Sequence, residues 1–287
     1  MDVTGFYKEF LMGLNINADI GSSILLATQA AQQKMFLAAQ KIATGKNINS
    51  ASDGAAALAL SQKLNSGTRE ANANISNSQM EKAMLQVADS DLSVISDNNS
   101  RIRDLAIQAA NGVYGASERS AIQSEITQLQ EENTRIAQSS SFNGKSLLNG
   151  SAAGTQVMAA QASPVTLQES LKSANPADLG IDSVDVSTPE NALALVDKID
   201  QAQTTINQRR SELGSVSNAL DSNITRNKIT AENLTASNST IADADIAQQM
   251  VNLIQGKIQM SAAVAMQAQA NSMHKTVLNL LRTTDSQ

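Results

Sequence analysis

Three stretches in the first half of the chain carry seam positions in steps of four and three. The first runs Ile24, Thr28, Ala31, Met35, Ala38 and Ile42 and is punctuated by Gly45. That spacing keeps one stripe on one face of an α-helix. A polar connection, Asn47 to Gly54, follows, and a helical stretch is expected from about Ala55 to Leu64. The spacing returns at Met84, Ala88, Leu92, Ile95, Asn99, Ile102, Ala106 and Ala109, and stops at Asn111-Gly112. Asn and Gly are favourable helix stops. A further seam holds Ile122, Ile126, Leu129, Asn133 and Ile136.

The longest repeat lies in the second half. Ile199, Ile206, Leu213, Leu220, Asn227, Leu234 and Ile241 fall seven residues apart, with companions Leu195, Ala202, Arg209, Val216, Asn223, Thr230 and Ser237. A seven-residue repeat sustained this long predicts a left-handed supercoil against a partner helix. From 195 to 241 that helix is about 70 Å long at about 1.5 Å per residue. Thr188 can cap its start, with Pro189 at the first helical position.

All three prolines, Pro164, Pro176 and Pro189, fall in one 26-residue window, which leaves long proline-free arms on either side. Proline costs about 3 kcal/mol inside a helix, so the arms suit long helices. Between them, Phe142-Asn143-Gly144 and Asn149-Gly150 are turn signals, and Thr155–Met158 and Val165–Leu167 are β-compatible. The fold class expected is mainly α: an elongated long-helix bundle with coiled-coil termini and a small β-hairpin element in the middle.

The last stretch, Ile246 to Leu281, is apolar over a broad face. Either its own domain covers that face or neighbouring copies of the chain do, and the similar character of Ile24 to Ile42 suggests that the two termini pair and assemble together. The residues expected at such an interface are Ile24, Met35, Ile42, Met250, Leu253, Ile254, Ile258, Val264, Leu278 and Leu281.

Composition supports narrow helix seams rather than a globule. Hydrophobic residues make up 41 % of the chain but aromatic ones only 2 %, so bulky rings do not anchor the core. The formal charge is −6, which leaves no basic footprint for nucleic acid. Charged residues reach only 17 %, and Asn, Gln, Ser and Thr fill the polar positions, which suits burial against copies of the same chain. The absence of cysteine excludes disulfides and thiolate metal sites. No apolar run is long enough for a membrane span, and the opening MDVTGFYKEFLMGLN lacks the core of a signal peptide. The one histidine, His274, has no companion ligand, and no phosphate loop or HExxH motif is present. Asp243 and Asp245 diverge at a spacing of two and favour the start of the last helix instead. The sequence argues against an enzyme, and no cofactor is expected.

Read together, the two arms resemble bacterial flagellin. The carriers are GLNINADIGSSILL (13–26), the Thr44-Gly45 to Asp53 segment, RIRDLAIQAANG (101–112), IQSEITQL (122–129) and SFNGKSLLNG (141–150). On the other arm they are LGSVSNALDSNI (213–224), AENLTASNSTIADADIAQQM (231–250) and QAQANSMHKTVLNLLR (267–282). The resemblance implies a self-polymerising subunit of the flagellar filament, with 12–45 and 246–287 as an inner coiled-coil layer. Residues 46–150 and 189–245 form the outer α-helical bundle it implies, and 151–188 a short β-hairpin or variable region. Residues 1–11 are then an N-terminal extension or a mis-assigned start, Met12 being the expected one. It further implies export through the flagellar type III channel with no cleaved signal peptide, to an extracellular flagellum. The implied partners are further copies of the chain, an export chaperone, filament cap and hook-junction proteins. A host innate immune receptor is implied at Arg101, Leu105 and Glu125, and no membrane insertion is implied. The pattern departs from the family at Asn47, Gly54, Ala57 and near Gln249, where Arg, Asp, Gly and an acidic residue are usual. The alternatives are a hook–filament junction protein and, from another class, a cytoplasmic coiled-coil signalling module.

Overall fold

The computed structural model describes residues 3–152, 156–157, 165–166, 171–182 and 184–284, with side chains for 21–152, 171–182, 184–273 and 275–276. Its elements are α1 (Val3–Thr44), α2 (Ala51–Ala110), α3 (Ala116–Ser139), β1 (Ser141–Phe142), β2 (Lys145–Ser146), β3 (Gln156–Val157), β4 (Val165–Thr166), α4 (Pro189–Ala242) and α5 (Ile246–Thr284). The class is mainly α with small β-hairpins, as the spacing predicts. The chain divides into two compact units, Met1–Ser66 with Leu234–Gln287, and Gly67–Asn233.

The second unit holds the main core. The seam of α2 is fully buried from Ala88 through Leu92, Ile95, Ile102 and Ala106 to Ala109. Against it pack Ile122, Ile126 and Ile136 of α3 and Leu195, Ile199, Ala202, Ile206, Leu213 and Leu220 of α4. Leu147, Leu148, Leu171, Ile181 and Val186, from the segment between α3 and α4, join the same cluster. Each large aliphatic buried in this way contributes about 1.5–3 kcal/mol.

Polar residues at seam positions bond to one another, although Asn99 Nδ2 is buried without a partner. Asn133 Nδ2 donates to Asn99 Oδ1 at 3.0 Å, Asn98 Nδ2 donates to Asn133 Oδ1 at 2.8 Å, and Asn227 Nδ2 donates to Asn223 Oδ1 at 2.8 Å. Amides buried in a helical seam favour one register over slipped ones. Arg209, in the companion register of α4, is also buried, and its guanidinium donates to the carbonyl oxygen of Ser173 at 2.9 Å. It ties the proline-containing segment to the helix.

The termini of α4 and the first hairpin follow their local chemistry. Asn191 N–H donates to Thr188 Oγ1 at 3.3 Å and Ala192 N–H donates to Thr188 O at 3.0 Å, which is an N-cap with proline at the first helical position. β1 and β2 pair antiparallel, Phe142 opposite Lys145, across Asn143 (φ 49) and Gly144 (φ 76). Two positive φ angles in a two-residue loop are what an Asn-Gly hairpin turn requires. β3 and β4 pair antiparallel with Val157 opposite Val165.

One expectation is revised. The helical stretch expected to end at Leu64 continues to Ala110, broken only at Gly54 (φ 155, ψ 92), a backbone conformation that glycine alone adopts without strain. The intervening seam is carried by Ser61, Ala71 and Ser78, all buried, so its period is helical although its residues are small or polar.

Replacing a core side chain should therefore cost far more than replacing one on the outer face of the same helix. Ile102→Ala, at a fully buried position, should lose about 2–5 kcal/mol in urea unfolding. Ile107→Ala, at a position 46 % exposed, should stay within about 1 kcal/mol of the parent.

Candidate assembly surface

The first unit is organised by a close approach of α1 and α5. Ile24, Ala31 and Ala38 are buried on α1 at intervals of seven, and Gly256, Ala263 and Ala270 are buried on α5 at the same interval. Gly256 lies against Ala31 and Met35, whereas Ile24 clusters with Ala263 and Ala270, so the helices run antiparallel. A Cβ at Gly256 would lie 2.6 Å from Met35 Cγ and 3.4 Å from the Ala31 carbonyl oxygen. Only a residue without a side chain fits there unless Met35 gives way.

Both helices break at the same level, and the breaks are strapped together. Gly45 takes φ +67, Asn47 N–H donates to Ala242 O at 2.7 Å, and Ala244 N–H donates to Gly45 O at 2.9 Å around an antiparallel bridge between Lys46 and Asp243. Asp53 closes the connection to α2. Its Oδ2 accepts from Asn49 N–H (3.0 Å), Ser50 N–H (2.8 Å) and Ser50 Oγ (3.0 Å). These hydrogen bonds, the Asn49 amide foremost and with help from Lys41, hold its carboxyl below the ordinary carboxylate value. Asp243 accepts from Ser239 Oγ at 2.6 Å, and Asp245 accepts from Gln248 N–H at 3.1 Å as the N-cap of α5. Both are structural carboxylates.

Apart from Ile24, the helix pair buries small residues and exposes large ones. Leu25, Leu26, Phe36 and Leu37 on α1 are exposed, Phe36 by 69 %. On α5 the same is true of Met250, Val251, Ile254, Ile258, Val264 and Met266, Ile258 by 63 %. Exposed apolar side chains grouped on one helix pair make this face a candidate interaction surface.

The expected interface residues divide by position. Ile24 lies in the intrachain seam, while Met35, Ile42 and Leu253 are half-buried beside it. Met250, Ile254, Ile258 and Val264 are exposed, and Leu278 and Leu281 lie outside the described side chains, as does His274. Sequence reasoning missed Leu26, Phe36 and Leu37; the signal was the apolar residues of α1 that flank the stripe. In the second unit, Arg101 Nη2 donates to Glu125 Oε1 at 2.8 Å on the surface. Leu105 is not beside them on that surface: it is 3 % exposed and belongs to the core. Among the described residues no helix is long and apolar enough to cross a membrane.

The pairing of two helical arms from opposite ends of one chain agrees with its likeness to known proteins. The bacterial flagellin N-terminal helical region matches residues 16–153, and the bacterial flagellin C-terminal helical region matches 196–281. Flagellin FlaB2 of Treponema pallidum (strain Nichols) is 34 % identical over 93 % of this chain and 98 % of its own length. The flagellar filament 33 kDa core protein of Treponema phagedenis shows the same identity and the same coverage. A crystal structure of Bacillus cereus flagellin, 31 % identical, covers 53 % of this chain and 88 % of that one with a TM-score of 0.47. The chain belongs to the bacterial flagellin family. None of these likenesses favours a hook–filament junction protein or a signalling coiled coil.

Two substitutions separate the seam from its surroundings. Gly256→Val should destabilise the terminal helix pair by about 1–3 kcal/mol through overpacking, read as lost helicity in thermal circular dichroism. Gly21→Ala, where nothing lies within 4 Å, should instead stabilise α1 by about 0.5–1 kcal/mol. For Asp53, a lowered pKa means that its contribution is present above the ordinary carboxylate pKa and is lost as pH falls through the lowered one. Asp53→Ala should lower the Tm at pH 7, and the difference from wild type should shrink toward zero near pH 2.

Proposed function

We propose that copies of this chain polymerise through the exposed apolar faces of α1 and α5. As a flagellin, the chain is a structural subunit that self-assembles into the bacterial flagellar filament, and its place is the flagellum. The observation that carries the surface assignment is the helix pair with Ala and Gly inside and Phe36, Ile254 and Ile258 outside. In this reading 12–45 and 246–287 form the inner layer of the filament, 46–150 and 189–245 the outer bundle, and 151–188 a short variable element. The work of the chain is mechanical, with no catalysis. Export without a cleaved leader, through the flagellar channel and with chaperone, cap and hook-junction partners, follows from the family resemblance.

A host innate immune receptor is a further partner in this reading. It rests on the surface pair Arg101–Glu125, Leu105 being buried in the core. Arginine suits an anchoring role because its planar fork gives both area and directed hydrogen bonds.

Placing charges on the apolar face tests the assembly reading. Ile254→Glu with Ile258→Glu should abolish filaments in negative-stain micrographs while leaving the unfolding of the second unit unchanged. Filaments of normal diameter from that variant would contradict it. For the receptor, Arg101→Ala should weaken binding to the purified ectodomain by about tenfold or more. Unchanged binding would remove Arg101 from the patch.

A further inference from the structure

The exposed face of the helix pair is not purely apolar. From Gly21 to Thr44 and from Ile246 to Thr276 the chain carries Lys34, Lys41, Lys257 and Lys275 and no acidic residue. Lys34 and Lys41 line one groove between α1 and α5, with Leu37 beneath them and the amides of Gln255 and Asn252 opposite. Neither lysine forms a direct ion pair among the described residues; Lys41 Nζ donates to Asn47 Oδ1 at 2.7 Å, and its charge also acts on Asp53 at longer range. Two cations a pair of helical turns apart, over an exposed leucine, fit a segment that brings carboxylates and aliphatic side chains together.

This unit offers, among its described side chains, one segment of that kind. Among its described side chains the acids are Asp53, Asp243 and Asp245. The Asp53 carboxylate is turned onto Asn49 and Ser50. Asp243 and Asp245 are exposed and use one oxygen each, Oδ2 and Oδ1, on Ser239 and Gln248. They are followed at once by exposed Ile246 and Met250. The strap that carries Asp243 lies level with Gly45 and Lys46. Lys34 is then about 15 Å away along α1 at about 1.5 Å per residue, beyond the reach of a carboxylate in its own chain.

We infer that the Lys34–Lys41 groove receives the Asp243–Asp245 segment of a second copy of this chain, so that assembly is steered by an ionic contact as well as by apolar burial. The inference rests on the filament reading above and adds to it which segment meets which. Opposite charges set register and suppress wrong pairings more than they raise affinity, a useful division where the apolar faces are broad and unspecific.

The test is the critical concentration for polymerisation of the full chain, measured by sedimentation at 50 and 500 mM NaCl. Lys34→Gln with Lys41→Gln should raise it about threefold to tenfold at low salt, the scale of two exposed ion pairs. That ratio should shrink toward one at high salt, where screening removes the contact from wild type as well. Lys34→Glu with Lys41→Glu should be worse, and adding Asp243→Lys and Asp245→Lys to it should restore polymerisation. A ratio of one at 50 mM, or a ratio that salt leaves unchanged, overturns the inference. So does a fourfold variant that is as helical as wild type but polymerises no better than the Glu pair. If the fourfold variant loses helicity, the salt series with the Gln pair decides. Wild-type protein that forms no filament at any salt overturns the filament reading itself, and this inference with it.

Discussion

The approach of α5 to α1 at Gly256 fixes what the terminal helices can and cannot do. With Ile24, Ala31 and Ala38 facing Gly256, Ala263 and Ala270, the backbones come close at Gly256 and the buried seam positions carry one large aliphatic side chain, Ile24. Burial is worth about 25 cal/mol per Å², while ordering each residue costs about 1–2 kcal/mol in backbone entropy alone. A seam otherwise made of alanine and glycine is poorly placed to offset that cost. The large side chains that would do so, Phe36, Ile254 and Ile258 among them, are exposed, which is the basis of the assembly proposal. The second unit has the opposite arrangement: Leu92, Ile95, Ile126, Ile199 and Ile206 are buried in one cluster, and Asn133 and Arg209 find partners within the chain.

The strap at Gly45 and Asp243 follows from the same seam. Two helices in close antiparallel contact break at one level, and the freed backbone groups must find partners. They find each other, in the exchange between Asn47, Ala242, Ala244 and Gly45. Asp53 and Asp245 then supply carboxylates to the helix starts on either side, where backbone N–H groups lack partners. Two of the segments that carry the family resemblance, Thr44-Gly45 to Asp53 and 231–250, build this connection.

Much of the fold was legible because its signals are local. The repeat from Ile199 to Leu220 is buried at each step, the Asn143-Gly144 turn has the backbone its residues demand, and Thr188 caps α4. The continuity of α2 was not legible, because Ser61, Ala71 and Ser78 carry its seam and a polar seam looks like a polar surface. Arg101 and Leu105 show a different limit. Four residues apart on a helix they are neighbours, but spacing does not say where the edge of the core falls, and it falls between them. The exposed face of α1 was legible only in part: Ile24 lies in the intrachain seam with Met35 and Ile42 half-buried beside it, and the exposed Leu26 and Phe36 flank the stripe. The strap is made of backbone atoms, which side-chain patterns do not report.

The central claim is that the outward faces of α1 and α5 are buried by neighbouring copies. A cryo-electron microscopy reconstruction of filaments assembled from this chain tests it directly. The account predicts that Leu26, Phe36, Met250, Ile254 and Ile258 are covered by side chains of adjacent subunits. A reconstruction in which those residues face solvent, with subunits touching through residues 67–233 alone, would contradict it.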